Sequence, residues 1–492
     1  MSKDRVTRRN FLSGLAVGAG GAVLAACAPK VVKETVVVEK PVEVVVKETV
    51  MVGGTPEVVE KVVTATPVPT EVIELTHWCH YGNAARWFEL VIDPVNEVVK
   101  EQGIHINTVD MQNAEHGTKI RAAAAAGEEA CDLFWAEAGG QLRPIMDGLL
   151  APLDDALAGA GLNWADFIPG RLDEARFKGK IWLMPTDHST FGVLLNGAQV
   201  EEAGLDVSNP PQTGEEFLEW ADKLTVREGD KITRAGFNLT GSGDGILPDW
   251  SIIAHQLGAK MWNEDFTKAN VTSQACVEAA QFLLDCFDKY KISTRDTAER
   301  YKTFAEGAAS MFWTGSWMLG TFNTLPELKL TAAVLPLIGP NRWTIGYTSG
   351  LAIIKVPGRP KDPAKLRALA VAMNEISERA VEWNKAGELG ETCRRSLQEA
   401  PDYQNGSVPW EQRRVFVEEA AYSTLAEPLV LDGETAMDYY YGDVLTKHLD
   451  RVWMKDISIE EGLENLQKEM QDLADLSAQQ IAECPSPSDW GY

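Results

Sequence analysis

From Val72 onward the chain switches its hydrophobic period between two residues and about 3.6 residues, and that rhythm limits the folds open to it. Val72-Ile73-Glu74-Leu75-Thr76-His77-Trp78 alternates as a strand does. A helical pattern covers residues 83–102, and a second strand follows at Ile104-His105-Ile106-Asn107-Thr108-Val109. Residues 117–126 are helical and alanine-rich, and Cys131-Asp132-Leu133-Phe134-Trp135 is a third strand. Strands separated by helices cannot be joined by hairpins, so the order predicts an α/β lobe with a largely parallel sheet. Ligands of such sheets settle at the carboxyl ends of the strands, where Trp78 and Trp135 fall.

The pattern continues well beyond one lobe. At 492 residues the chain exceeds what a single core supports, so two or more lobes are expected. Gly179-Lys180-Ile181-Trp182-Leu183-Met184-Pro185 reads as a strand entering a crossover. Residues 191–196, 309–313 and 351–354 read as further strands. Helical patterns span residues 213–225, 250–261, 273–290 and 300–306, and helices dominate from Asp362 onward.

The N-terminus carries a different kind of signal. Thr7-Arg8-Arg9-Asn10-Phe11-Leu12 has the form of a twin-arginine export signal, with Arg8 and Arg9 as its core. A Gly/Ala-rich apolar stretch follows and closes on Leu24-Ala25-Ala26-Cys27. Basic start, apolar middle and small-residue cleavage site predict a signal peptide over residues 1–26, with Cys27 taking a lipid. Residues 27–70 are almost entirely Val, Glu, Lys, Thr and Pro, and Val32-Lys33-Glu34-Thr35-Val36 recurs as Val46-Lys47-Glu48-Thr49-Val50. Without one aromatic residue the segment cannot build a core, which predicts a stalk; its Val-rich alternation leaves a small β element open.

Removing residues 1–26, with four basic residues and one acidic, takes the net charge from −26 to −29. So acidic a surface repels nucleic acid, which excludes that class of partner. The remaining cysteines, Cys79, Cys131, Cys276, Cys286, Cys393 and Cys484, form no CxxC pair, and their pairing stays open. The chain has no GxSxG elbow, HExxH or Walker loop, and no metal or cofactor is expected.

Five stretches taken in order resemble a known family. They are the strand ending in Trp78; Asp132-Leu133-Phe134-Trp135-Ala136 with Gly139-Gly140 and Pro152-Leu153-Asp154; and Gly179 to Pro185 with Asn196, Gly204-Leu205 and Pro211. The others are Phe304-Ala305-Glu306-Gly307-Ala308-Ala309-Ser310-Met311-Phe312 leading to Gly315-Ser316-Trp317, and Ser349-Gly350-Leu351-Ala352-Ile353. Spread over residues 71–480, they resemble the extracellular solute-binding proteins of the maltose-binding type, lipid-anchored receptors of ATP-driven sugar importers. The resemblance implies the α/β two-lobe periplasmic-binding-protein fold, with a ligand cleft between lobes joined by hinge crossovers. It implies lobe 1 from residues 71–186 and 338–395, lobe 2 from residues 187–337 and 396–482, and a tail at 483–492. Crossovers are expected near residues 185–189, 336–340 and 393–400. The implied partners are a carbohydrate, the permease subunits of an ABC importer and the outer side of the cytoplasmic membrane, with a monomeric, non-enzymatic chain.

The candidate ligand contacts follow from both lines of reasoning. Sugar rings present apolar C–H faces that stack on indole and edge hydroxyls that seek polar groups. The resemblance places Trp135 and Trp317 at stacking positions, Trp78 beside the cleft, and Tyr439-Tyr440-Tyr441 on a late helix that presents Tyr440. Trp313, Trp250 and Tyr347 are added as wall residues by position. His80, Asn83, Glu137, Asp187 and His188 fall in loops after strands or at the first crossover, where they suit hydroxyl groups. Trp182, Trp220, Trp262, Trp383 and Trp453 are expected to fill cores. The family's maltose receptor has a charged pair where this chain has Gly82-Asn83, which argues against maltodextrin as the ligand. Two other readings stay open: an exported glycosidase, which needs two carboxylates set across a cleft, and a receptor of the same fold for a non-sugar solute.

Overall fold

The computed structural model describes residues 42–52, 55–65, 72–80, 84–111, 113–138, 141–241, 244–263, 267–297, 299–425 and 444–484. They belong to two compact units, Met1–Glu71 and Val72–Tyr492. In the first, β1 (Val42–Val52) and β2 (Thr55–Ala65) pair antiparallel in unbroken register from Val42↔Ala65 to Val52↔Thr55. The Val-rich alternation therefore forms a hairpin, the β element that its composition left open.

The second unit begins as the sequence rhythm predicts. β3 (Ile73–Cys79), β4 (Ile104–Asp110) and β5 (Leu133–Glu137) are mutually parallel, with β3 between the other two. β6 (Arg176–Phe177) and β7 (Lys180–Ile181) form a short separate hairpin. The chain then enters β8 (Met184–Leu195), a strand whose twelve residues are all buried. β9 (Val226–Glu228) and β10 (Lys231–Phe237) are antiparallel, and β10 runs parallel to β11 (Ala309–Gly315). β12 (Thr331–Ala333) pairs with β8, and a second fully buried strand, β13 (Thr344–Ile353), follows. β14 (Glu391–Thr392) pairs with β8, and β15 (Ser423–Leu425) with β13. The main sheet order is β4-β3-β5-β13-β8-β11-β10-β9.

The sheet is mixed rather than largely parallel, because two long antiparallel strands join its parallel parts. β8 uses Met184–Thr190 to pair with β13 and Phe191–Leu195 to pair with β11. β13 pairs with β15 over Thr344–Gly346 and with β5 over Ser349–Ile353. Each strand thus begins in one half-sheet and ends in the other, which gives the two-lobe α/β architecture. The first crossover expected from the sequence, residues 185–189, lies on β8; the second, residues 336–340, precedes β13.

Each half-sheet is covered on both faces, as buried strands of α/β proteins are. On β5, Leu133 and Trp135 join one core, with Val95 and Val99 and with Ala368, Met373 and Trp383 of helix Pro363–Lys385. Phe134 and Ala136 turn to the other face, toward Leu150, Trp182 and Ala352. On β11, Met311 and Trp313 face a core built with helices Gly214–Leu224, Leu247–Gln256, Gln274–Asp288 and Ile459–Glu483, while Phe312 faces Phe304, Phe322 and Phe416. Period-two alternation with both faces apolar produces this division. Helix starts follow local chemistry: Thr213 and Glu216 form a capping box before Gly214–Leu224, and Ser458 caps Ile459–Glu483.

β13 and β8 pack closely at Gly350. A Cβ on Gly350 would stand 2.1 Å from the Met184 carbonyl oxygen, so only glycine lets the two backbones approach there. The five tryptophans expected in cores, Trp182, Trp220, Trp262, Trp383 and Trp453, are all buried. The six described cysteines are buried free thiols. Among the described residues no helix is long and apolar enough to cross a membrane.

Candidate ligand-binding site

Four aromatic side chains meet beside the point where β8 changes neighbours. β11 ends at Gly315, its strand partner on β8 is Phe191, and the chain turns through Ser316–Met318. That turn brings the half-buried Trp317 ring perpendicular to Phe191, 5.4 Å between centroids at 85°. Tyr347 of β13 lies 6.2 Å from Trp317 and 6.3 Å from Phe191. The Trp317 indole N–H points to the Tyr301 hydroxyl oxygen, 3.4 Å away. Perpendicular pairs of this kind are favoured by ring quadrupoles and fix one another's orientation. Trp317 and Tyr347 were both expected at the site. Phe191 and Tyr301 were not: Phe191 read only as a strand residue, and nothing in the helical pattern of residues 300–306 showed that Tyr301 meets Trp317.

Two smaller ring sets lie near the carboxyl ends of β3 and β5, on opposite faces of β5. His80 lies 6.2 Å from Trp135, and Trp78 lies 6.2 Å from His116, which meets Phe134 edge-on. Glu137, half-buried, is opposite Ser349 of β13, so this end of β5 adjoins the shared strands. Trp135 is only 4% exposed and packs chiefly into the first core.

The sequence also placed Asp187 and His188 among ligand contacts, and the structure gives them another role. Both are fully buried on β8, opposite β14 and β13. His188 Nδ1 is 2.8 Å from Thr348 Oγ1, and Nε2 is 2.8 Å from Ser423 Oγ. The Thr348 hydroxyl donates to Glu174, so it accepts from Nδ1–H, and the ring joins three strands. Burial, with Arg171 nearby, pushes the His188 pKa well down and keeps the ring neutral. Asp187 accepts from the Thr186 hydroxyl at 2.8 Å, and burial pushes its pKa up to about 7. Around them Arg171 bridges Glu174 at 3.2 Å and Glu391 at 3.4 Å and donates to the Ala420 carbonyl at 2.8 Å. Glu391 is likewise pushed up to about 7 by burial. This set is a buried polar pin at the shared strands, in which both His188 ring nitrogens are engaged by hydroxyl groups while Arg171 Nε and Asp187 Oδ2 stay without a hydrogen-bond partner.

Trp250 and Trp313 are corrected for a plainer reason: both are core residues. Trp250 donates its indole N–H to the Cys276 carbonyl at 3.1 Å. Trp313 is wedged between Phe217 and Phe237, 5.4 and 5.3 Å away. Both are 0% exposed, so neither presents a ring face to a solute. Asn83 and Tyr440, with Arg8, Arg9 and Cys27, lie outside the described residues. Among the described residues no group of three or more His, Cys, Asp or Glu side chains is arranged to hold a metal ion.

No curated protein matches the chain. Solved structures do, over most of its length. An ABC substrate-binding protein from Listeria monocytogenes in complex with cycloalternan matches with a TM-score of 0.68 at 18% identity, covering 82% of this chain and 99% of that one. The GacH receptor of Streptomyces glaucescens, known unliganded and with acarbose, matches with a TM-score of 0.67 at 18% identity over 82% and 99%. UgpB from Mycobacterium tuberculosis, in complex with glycerophosphocholine, gives 0.68 at 16% identity over 82% and 99%. Such identities speak for the fold. The family model described as bacterial extracellular solute-binding protein matches residues 89–362, more than half of the 492 residues. With that match over two half-sheets joined by shared strands, the chain belongs to the bacterial extracellular solute-binding proteins.

Proposed function

We propose that this protein is the extracytoplasmic receptor of an ABC importer and captures a mono- or oligosaccharide between its lobes. The observation that carries the reading is the aromatic group Trp317, Tyr347 and Phe191 beside the shared strands. A half-buried indole braced by other rings suits the apolar face of a sugar, and groups on the facing lobe supply polar contacts. Trp78, His80 and Glu137 are the contacts we assign to the first lobe, with Trp135 packed in the core behind His80. Ligand touching both lobes stabilises the closed arrangement, and the permease reads that closure. The ligand is released unchanged, so the chain is not an enzyme. Arg8, Arg9 and Cys27 suit twin-arginine export and lipid attachment outside the cytoplasmic membrane. Cycloalternan and acarbose, bound by the Listeria and Streptomyces proteins, support the carbohydrate class.

A second reading, a non-sugar solute, has the Mycobacterium protein and its glycerophosphocholine in its favour. Thermal unfolding of the full chain against mono- and oligosaccharides, with glycerophosphocholine, amino acids and polyamines beside them, separates the two. Ligand raises the midpoint by mass action, about 2.7 kcal/mol at a hundredfold excess over Kd. A rise with one sugar class, and recovery of that sugar intact, supports the proposal. A rise only with glycerophosphocholine or another non-sugar solute contradicts the carbohydrate assignment, and turnover of the sugar contradicts the receptor role.

A further inference from the structure

Gly315 stands at the end of β11 with φ −81° and ψ 163°, extended backbone that any residue adopts. Conformational freedom therefore does not explain a glycine there, but space does. A Cβ on Gly315 would lie 1.8, 2.1 and 2.2 Å from Cζ3, Cη2 and Cε3 of Trp317. The six-membered ring of the indole thus occupies the position a side chain would take, and rests on bare backbone. Phe191, the strand partner of Gly315, holds the same indole from a perpendicular plane. At the other end of the ring system the indole N–H points to Tyr301. Tyr301 is 44% exposed, yet its ring is anchored against the buried Phe312, 5.6 Å away at 62°.

Three consequences follow from donor and acceptor chemistry. The indole has one donor and no acceptor, and that donor is directed at the Tyr301 oxygen, so Trp317 offers a ligand only ring surface. Tyr301 accepts there through oxygen and keeps its own O–H as a donor. An indole fixed in advance binds without the entropic cost of ordering a loose side chain. We propose that Gly315 and Tyr301 are positioning residues that lock the Trp317 indole before a ligand arrives, setting uncovered ring surface beside the Tyr301 hydroxyl as a platform for a ring with a C–H face and edge oxygens. The ligand class rests on the carbohydrate reading above; the locking does not.

Fluorine NMR of the full chain labelled with 5-fluorotryptophan tests it, the Trp317 line being assigned by its loss in Trp317→Phe. The wild type is expected to give one narrow Trp317 line. Gly315→Ala should displace or split that line while most other tryptophan lines stay in place. Tyr301→Phe, an exposed change that leaves packing alone, should shift it by removing the acceptor. A Trp317 line already split in the wild type, or one that Tyr301→Phe leaves unmoved, overturns the proposal. Should Gly315→Ala fail to fold, Tyr301→Phe decides alone. Maltotriose and cellotriose, added to the same samples, probe the ligand class separately. A variant-sensitive line that neither sugar moves keeps the locking and counts against the carbohydrate reading. A sugar-sensitive line that neither variant moves keeps the carbohydrate reading and rejects the locking.

Discussion

On β11 and the turn after it, Phe312, Trp313 and Trp317 face three ways, and their environments separate packing from binding. Trp313 alternates with Phe312 along the strand, which sends it into the second-lobe core beside Phe217 and Phe237. Trp317, past the strand end, folds back over Gly315 and stays half-exposed. From sequence, Trp317 stood out by the resemblance and Trp313 was added to the same wall by its position; what divides them in the structure is which side of the backbone each leaves by. Trp313→Ala should therefore cost about 3–5 kcal/mol of stability in urea unfolding. Trp317→Ala should leave the unfolding midpoint within a few degrees of wild type. Equal losses for the two variants would contradict the division. Trp250, also expected at the wall by position, lies on the inward face of its helix.

Among the elements, β3, β4 and β5 were legible because their apolar residues alternate and helices separate them. β8 and β13 were legible only in part. The sequence showed residues 191–196 and 351–354 as strands, but the structure extends these to Met184–Leu195 and Thr344–Ile353. Thr186, Asp187, His188, Ser189 and Thr190 break the apolar pattern, yet all are buried, with hydrogen-bond partners on β8 itself, β13, Gly390 and the helix carrying Phe416. Glycines hide β13 in the same way, since Gly346 and Gly350 carry no side chain to show a period. Gly350→Ala should push β13 off β8 and lower the thermal midpoint by several degrees, whereas Gly358→Ala, with open space around it, should cost only the strain of a positive φ.

The polar pin at these strands gives a pH signature. Glu391 is held up to about 7 from 4.5 by burial, with Arg171 pulling the other way. Between those values the folded state keeps a proton that the unfolded state has lost. Its contribution to stability is thus full below about 4.5 and lost as pH rises through about 7. His188, held neutral by burial, acts in the opposite direction as pH falls below 6.5. Glu391→Gln removes the first effect alone. Urea unfolding from pH 5 to 8 should show a shallower decline in the variant, the difference approaching at most about 1.4 kcal/mol per pH unit. Identical slopes would show that Glu391 is ionised throughout.

At the scale of the whole molecule, the half-sheets share β8 and β13 and carry separate cores on each face. Motion of one lobe against the other is cheapest where few core residues must repack, which is along these shared strands. The aromatic group beside Phe191 lies at that junction, so a ligand held there biases closure through differential contacts. The family was legible from the order of five short stretches, because a fold that wraps two lobes from one chain fixes the sequence of its turns and strand ends. The ligand was not, because single side chains such as Tyr301 reach the site from segments whose own periodicity says nothing about it.

The most direct measurement is calorimetric titration of the full chain and of Trp317→Ala with the sugar that most raises the wild-type unfolding midpoint. The proposed site predicts one bound sugar per chain and an affinity more than tenfold weaker in the variant, a loss above about 1.4 kcal/mol. A variant that binds the sugar as tightly as the wild type would place the ligand elsewhere and contradict the site.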